Sequence, residues 1–226
     1  YMIFVIQFAD EQNEIILEML KNMFVVYGVD YLIDVDDKKM VLIKNVRGID
    51  VENDQFARRI IDNLQMEAMC NAWVGYTDAA EDFVLFHEKY RQASMALKVG
   101  MVFSDDERVF YYRRLGLGRL ISQLSVEMCD LFLKEVLGDH ADMELDEEAM
   151  ATIRQLFDNN LNISETARQL YIHRNTLVYR LERIEKKIGL DIRTFEDAML
   201  FKIAMMVRTH RNSILGSCQN KNEVIE

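Results

Sequence analysis

The stretch that decides the fold of the C-terminal half is residues 163–189, ISETARQLYIHRNTLVYRLERIEKKIG. Its apolar residues recur every three or four positions, which predicts a short helix over 163–170 and a longer helix over 174–188. Gly189 can end the second helix in a left-handed conformation. Only the three residues Tyr171–Ile172–His173 join the two helices, and this spacing is typical of a DNA-binding helix-turn-helix.

Local signals at the start of each helix support this interpretation. The side chain of Asn162 can accept a hydrogen bond from the backbone of Glu165 while the Glu165 side chain reaches back, as in a capping box. Ala167 is small enough to let the second helix cross closely, and Ile172 in the turn is expected to point inward. His173 occupies the N-cap of the second helix, where it can either cap the helix or contact DNA.

The second predicted helix has one apolar face and one polar face. At 100° per residue four aliphatic side chains cluster on one side, and we expect these to be buried: Leu177, Leu181, Ile184 and Ile188. The other side carries groups that suit bases and phosphates: Asn175, Tyr179, Arg183 and Lys186, with Thr176 and Arg180 at its edge. Arg174, Asn175 and Thr176 lie in the helical turn that usually reaches the bases. Ser164 and His173 complete the predicted DNA-binding set.

The charge distribution is compatible with a nucleic-acid partner. The whole chain has a formal net charge of −11, but residues 168–211 contain ten Lys or Arg residues against five Asp or Glu residues. A whole-chain sum hides such asymmetry. A solvated, salt-bridged helix can be equally basic, so charge alone leaves both interpretations open and the motif has to decide between them.

Residues 1–112 show the alternating patterns of an α+β domain. The predicted elements are a strand over 2–9, a helix over 11–28, strands over 30–35 and 39–45, a helix over 54–69, a strand over 72–77, a helix over 81–99 and a strand over 109–112. The order βαββαβ with additions is that of a ferredoxin-like, two-layer unit. The polar turn between the second and third strands predicts a hairpin.

Residues 113–216 are predicted to form an all-α domain, because no strand pattern is left after Arg113. A helix over 115–124 and a second helix that begins at Ser125 precede the polar, acidic segment 138–148, which has the composition of a connector. The helix-turn-helix follows this connector. We expect residues 217–226 to form a flexible tail.

Residues 156–207, and above all the run His173–Leu181, closely resemble the C-terminal helix-turn-helix domain of the PucR/CdaR family of bacterial transcriptional regulators. The hallmark of that domain, His-Arg-Asn-Thr-Leu-x-Tyr-Arg-Leu, is matched here at every fixed position. The resemblance implies a cytoplasmic regulator of a catabolic operon that binds double-stranded operator DNA. It also implies sensing domains in front of the DNA-binding domain, and so a small-molecule effector that acts through a region upstream of Tyr1.

The N-terminal βαββαβ order resembles the GGDEF-like domain of the same family. A working diguanylate cyclase has Gly-Gly-Asp/Glu-Glu-Phe at its hairpin tip and nearby carboxylates that hold Mg²⁺ ions. Here residues 34–39 of the tip read Asp-Val-Asp-Asp-Lys-Lys, and the first strand ends in Gln7–Phe8–Ala9 before Asp10. Two ammonium groups stand where metal and triphosphate would bind. We therefore expect a degenerate domain that serves dimerisation or effector relay and has no enzymatic activity.

No pattern supports a cofactor, a metal ion or a catalytic site. Cys70, Cys129 and Cys218 are too far apart for a metal-binding CxxC pair, and the four histidines lack helical i, i+4 pairing. The segment Gly116–Leu117–Gly118 lacks the third glycine of a phosphate loop. No apolar run reaches the roughly 18 to 20 residues that span a bilayer, so we expect no membrane partner.

The sequence therefore predicts a sequence-specific DNA-binding transcriptional regulator. Homodimerisation is expected, since one helix-turn-helix contacts only a few base pairs and specific sites usually combine two half-sites. Two alternatives stay open at this point. One is an active nucleotide cyclase, which would turn over GTP with Mg²⁺. The other is a protein-interaction module, in which the helix-turn-helix binds a partner helix and not DNA.

Overall fold

The computed structural model describes residues 1–11, 14–47, 53–104, 106–138 and 145–222, with residues 217–222 described by their backbone alone. The chain divides into an N-terminal unit, Tyr1–Gln123, and a C-terminal unit, Leu124–Glu226. The elements of the described chain are β1 (Met2–Phe8), α1 (Glu14–Phe24), β2 (Tyr31–Asp36), β3 (Lys39–Lys44), α2 (Asn53–Ala68), β4 (Ala72–Tyr76), α3 (Phe86–Phe103), β5 (Val109–Tyr111), α4 (Leu117–Ile121), α5 (Val126–Leu137), α6 (Glu147–Asp158), α7 (Ile163–Gln169), α8 (Arg174–Ile188) and α9 (Phe195–Asn222).

The N-terminal unit is built on a five-stranded sheet of order β2-β3-β1-β4-β5. The β1 strand pairs antiparallel with both β3 and β4, β2 pairs antiparallel with β3, and β4 pairs parallel with β5. The first four strands thus have the order of two interleaved βαβ units, which is the ferredoxin-like arrangement. The predicted α+β class and the βαββαβ order are confirmed, with β5 as the addition.

Both faces of the sheet are covered, which explains why β1 is apolar at nearly every position. Alternate side chains of a strand point to opposite faces. Phe4 and Ile6 therefore join a core with residues of α1 and α2, whereas Ile3 and Val5 pack with residues of α3. A strand with both faces buried appears in the sequence as an unbroken hydrophobic run.

The C-terminal unit contains only helices among its described residues. Helix α9 packs along α5, and the contact includes an ion pair between Arg211 and Asp130 with a distance of 2.5 Å. The buried His210 of α9 also forms a 3.1 Å hydrogen bond with the Leu124 carbonyl oxygen. Helices α6, α7 and α8 pack on one another and form the predicted helix-turn-helix with its preceding helix.

The start of α3 differs from the prediction of one helix over 81–99. A 3₁₀ turn, Phe83–Leu85, precedes α3, and the side chain of Asp82 caps it by accepting a hydrogen bond from Val84 N at 3.0 Å. An aspartate that bonds to the backbone two residues ahead favours such a turn over a continuous helix. Helix α3 then continues to Phe103, beyond the predicted end.

Residues 113–123 pack with the N-terminal unit, although the sequence assigned them to the helical domain. The reason is a close approach between α4 and α3. A Cβ atom on Gly118 would meet side-chain atoms of Phe103 and Val99 at 3.0 and 3.1 Å. Helix α4 is also shorter than the predicted helix over 115–124.

Helix α9 extends to Asn222, so the backbone of residues 217–222 is helical where a flexible tail was predicted. Residues 223–226 of that tail lie outside the described residues, as do residues 139–144 of the predicted connector. No helix of the described chain combines the length and the apolar character that crossing a membrane requires.

Candidate nucleic-acid interface

Helix α7 begins with the predicted cap, but the capping box is only half formed. The Asn162 side chain accepts a hydrogen bond from Glu165 N at 3.1 Å. The Glu165 carboxylate does not turn back. It accepts hydrogen bonds from Arg168 at 2.5 Å and from Gln169 at 2.8 Å, and these two bonds lower the pKa of Glu165. Ser164 is exposed in the first turn of α7.

A polar contact that the sequence analysis missed fixes α7 against α6. Thr166 is fully buried beside Ala167. Its hydroxyl donates to the Asn162 carbonyl oxygen at 2.8 Å and accepts from the Asn159 amide at 3.3 Å. Buried polar groups need such partners. Asn159 sits at the C-cap of α6, so this network sets the position of α7 relative to the preceding helix.

Helix α8 is capped at both ends by the residues that the sequence predicts. His173 is the N-cap, and its Nδ1 accepts a hydrogen bond from Asn175 N at 3.2 Å. Of the two roles that the sequence left open for His173, the structure thus provides the cap. At the other end Gly189 adopts a φ of 76°, a left-handed conformation that closes the helix at low steric cost.

One face of α8 is buried as predicted. Leu177, Leu181, Ile184 and Ile188 are each at most 4% exposed. Full burial of a large aliphatic side chain contributes about 1.5–3 kcal/mol. These four side chains therefore anchor α8 to the rest of the C-terminal unit and fix which face points outward.

The opposite face of α8 is exposed. Five of the predicted DNA-binding residues lie on it or at its edge: Asn175, Thr176, Tyr179, Arg183 and Lys186. Arg174 is also exposed, in the first turn of the helix. Tyr179 is 61% exposed despite its large ring. Glu182 is exposed on the same face. It was not among the predicted residues, which are cations, amides and hydroxyls.

Arg180 differs from the other predicted DNA-binding residues of α8 because it is already paired. Its guanidinium forms a 2.8 Å ion pair with Glu148 of α6, and its side chain is 27% exposed. About two turns further on, Lys187 forms a 3.0 Å ion pair with Asp146. Hydrogen bonds from the Ala149 backbone and from Lys187 lower the pKa of Asp146. The sequence alone could not reveal these pairs, because both acids lie in a different helix.

The hairpin tip of the N-terminal unit carries lysines and no glycine. The Lys38 ammonium donates a hydrogen bond to the Ala9 carbonyl oxygen at 3.2 Å, and Lys39 lies 3.8 Å from Asp36. A cation thus occupies the space between the end of the first strand and the tip. Among the residues that the structure describes, no group of three or more His, Cys, Asp or Glu side chains is placed to hold a metal ion.

Each of the two units matches a protein-family model. Residues 149–207 match the family model described as the PucR C-terminal helix-turn-helix domain. Residues 1–99 match the family model of the GGDEF-like domain. The chain thus combines a PucR-type helix-turn-helix domain with a GGDEF-like domain, as the resemblance to PucR/CdaR-type regulators implies. The first match runs from α6 through α7 and α8 into the first part of α9. The second match covers β1 to β4 and most of α3.

Curated proteins of the PucR/CdaR type are similar to this chain. A purine catabolism regulatory protein of Bacillus subtilis is 26% identical over 135 residues, which are 59% of this chain and 25% of that protein. A carbohydrate diacid regulator of Escherichia coli is 31% identical over 122 residues, 54% of this chain and 32% of that protein. A proline-responsive transcriptional activator, PutR, of Bacillus subtilis is 26% identical over 141 residues, 60% of this chain and 34% of that protein. The alignments thus span about a quarter to a third of each relative.

Proposed function

We propose that this chain is a sequence-specific DNA-binding transcriptional regulator of a bacterial catabolic operon, acting in the cytoplasm. The observation that carries the proposal is the two-faced helix α8, which is anchored by buried leucines and isoleucines and presents amide, guanidinium and hydroxyl groups outward. The major groove of B-DNA admits one α-helix of this kind. The choice of operon class is supported by three relatives, a purine catabolism regulatory protein, a carbohydrate diacid regulator and a proline-responsive transcriptional activator.

Each exposed group of α8 has a suitable partner on DNA. The Asn175 amide can form two hydrogen bonds with adenine, and Arg174 or Arg183 can do so with guanine. Thr176 and Tyr179 suit a thymine methyl group or a phosphate. Glu182 can accept from the amino group of cytosine. We assign phosphate contacts to Lys186 and to Ser164, which is exposed in the first turn of α7.

The role that we propose for His173 is to hold the backbone at the start of α8. Its Nδ1 accepts from Asn175 N, so it fixes the first turn of α8, from which Arg174, Asn175 and Thr176 project. A side chain that accepts a hydrogen bond at this position satisfies one of the backbone N–H groups that the first turn of a helix leaves unpaired. His173 therefore supports the predicted readers whether or not it touches DNA.

The functional form that we propose is a homodimer. One recognition helix contacts only a few base pairs, and two copies on half-sites one helical turn apart give the specificity that an operator requires. An effector that acts through a region upstream of Tyr1, as the family resemblance implies, would change the affinity of this dimer for its operator. Each ligand changes the affinity for the other by the same factor.

The N-terminal unit acts in this proposal without nucleotide cyclase chemistry. Diguanylate cyclases need carboxylates that hold Mg²⁺ at the hairpin tip. Here the Lys38 ammonium lies 3.2 Å from the Ala9 carbonyl oxygen, between the tip and the end of β1. A second ammonium, that of Lys39, follows directly. Such a tip favours dimerisation or effector relay as the role of this unit.

The salt dependence of binding tests DNA as the partner. Three cations of α8 form no ion pair among the described contacts: Arg174, Arg183 and Lys186. A dimer therefore has six such cations. Each cation that neutralises a phosphate changes the slope of log K against log salt by about −0.9, so we expect a slope of up to about −5. The measurement is fluorescence anisotropy of duplexes selected from random or genomic DNA, titrated between 50 and 200 mM salt. A slope near zero, or no binding to any duplex, would contradict the proposal and favour a protein partner.

A further inference from the structure

Helix α6 presents two carboxylates to one flank of α8. Glu148 holds the Arg180 guanidinium at 2.8 Å, and Asp146 holds the Lys187 ammonium at 3.0 Å. Arg183 lies between these pairs and lines the same shallow groove with Ala149. This flank of α8 therefore has its own counter-charges, supplied from within the C-terminal unit.

Arg180 is held in place by partial burial as well as by its ion pair. The side chain is 27% exposed, whereas that of Glu148 is 59% exposed. Arg180 lines the groove together with Ile184 and Thr152, and partial burial of the methylene groups of an arginine favours the position of the whole side chain. Moving Arg180 outward would therefore break the ion pair and, at the same time, expose its methylene groups to water.

We propose that Glu148 is a positioning residue that withholds Arg180 from DNA and so limits the number of phosphate contacts that α8 makes. This inference rests on the proposed function. In the wild-type chain Arg174, Arg183 and Lys186 meet the DNA, and Arg180 stays on the side of α6. The sequence-based prediction that Arg180 belongs to the DNA-binding set then applies only to a chain in which the Glu148 carboxylate has been neutralised.

The test compares Glu148→Gln with Glu147→Gln. Both residues are exposed in the first turn of α6, so both substitutions remove one negative charge beside the same helix end. Only Glu148→Gln releases Arg180. We expect the slope of log K against log salt to become more negative by about 0.9 per bound chain in Glu148→Gln than in Glu147→Gln. Between 50 and 200 mM salt this corresponds to a roughly threefold larger loss of affinity per chain.

Arg180→Gln completes the cycle. In the wild-type background it should leave the slope unchanged, and in the Glu148→Gln background it should return the slope to that of Glu147→Gln. The inference would be overturned if the two glutamate variants had equal slopes. It would also be overturned if Arg180→Gln alone made the slope of log K against log salt less negative by about 0.9 per chain. Neither result would contradict DNA binding itself. A wild-type chain without salt-dependent binding would instead overturn the proposed function. Thermal melting of each variant verifies that its fold is retained.

Discussion

Replacing Asp30 with alanine is expected to destabilise the N-terminal unit by about 3–5 kcal/mol, because it leaves a buried charge without its partner. The Asp30 and Lys44 side chains form a 2.6 Å ion pair and are 1% and 10% exposed. Asp30 also accepts hydrogen bonds from the backbone N–H groups of Val26 and Asn45, each at 2.8 Å. One substitution therefore removes the acceptor of two amides and the anionic partner of the Lys44 ammonium, which keeps only its 3.0 Å hydrogen bond to the Phe24 carbonyl oxygen.

The single tryptophan gives a selective measurement of this loss. Trp73 lies in β4, so its fluorescence during urea unfolding reports the N-terminal unit. The matched control is Asp37→Ala in the exposed turn of the hairpin, which should change the free energy of unfolding by less than about 0.5 kcal/mol. A change for Asp30→Ala as small as that of the control would show that the ion pair does not stabilise the unit.

The effect of Asp30→Ala should depend on pH. Burial acts to raise the pKa of Asp30, but hydrogen bonds from Lys44 and from the Val26 and Asn45 amides outweigh it and lower the pKa below its usual value. A group with a lowered folded-state pKa stabilises the fold above its unfolded pKa, about 3.9 for aspartate, and loses this contribution as the pH falls. The difference between the wild type and Asp30→Ala should therefore be complete near pH 6 and shrink below about pH 4.

The second large effect is expected for Leu181→Ala, which removes most of a buried side chain from the anchoring face of α8. Leu181 is 1% exposed, and truncation of a buried leucine costs about 2–5 kcal/mol. The loss comes from burial and from the cavity left behind. Because Leu181 lies in the middle of α8, the same cavity should loosen the helix that carries the predicted readers.

Two signals locate this loss in the C-terminal unit. The Trp73 transition should stay where it is in the wild type, while part of the circular dichroism transition at 222 nm moves to lower urea. The control is Glu182→Ala, the next residue along α8 and an exposed one, which should leave both transitions unchanged within about 0.5 kcal/mol. If the unfolding transitions of Leu181→Ala matched those of Glu182→Ala, the buried face would not be what anchors α8 in the C-terminal unit.

The parts of the fold that could be predicted from the sequence rest on local patterns. Leu177, Leu181, Ile184 and Ile188 repeat at helical spacing within α8, so both faces of that helix followed directly. The apolar run of β1 likewise indicated a strand, and the structure shows that both of its faces are buried. In each case the information lies within about fifteen residues, the range over which hydrophobic periodicity acts as a signal.

The parts that were missed depend on partners distant in sequence. The Asp30–Lys44 ion pair joins residues on either side of a hairpin, and nothing in the separate strands marks either residue as buried. By sequence, Arg180 resembles the other cations of α8, and only the structure shows that Glu148 of α6 lies beside it. Packing of α4 on α3 moved the boundary between the units, since no local pattern tells a helix which domain it joins.

The central claim is that the outward face of α8 reads bases, and Asn175→Ala tests it most directly. The measurement is the affinity of wild type, Asn175→Ala and Lys186→Ala for a selected operator and for a scrambled duplex, at one fixed salt concentration. We expect Asn175→Ala to lose about 1–3 kcal/mol of binding free energy on the operator and little on the scrambled duplex, whereas Lys186→Ala should weaken binding to both alike. Equal small losses on both duplexes for both variants would contradict this claim.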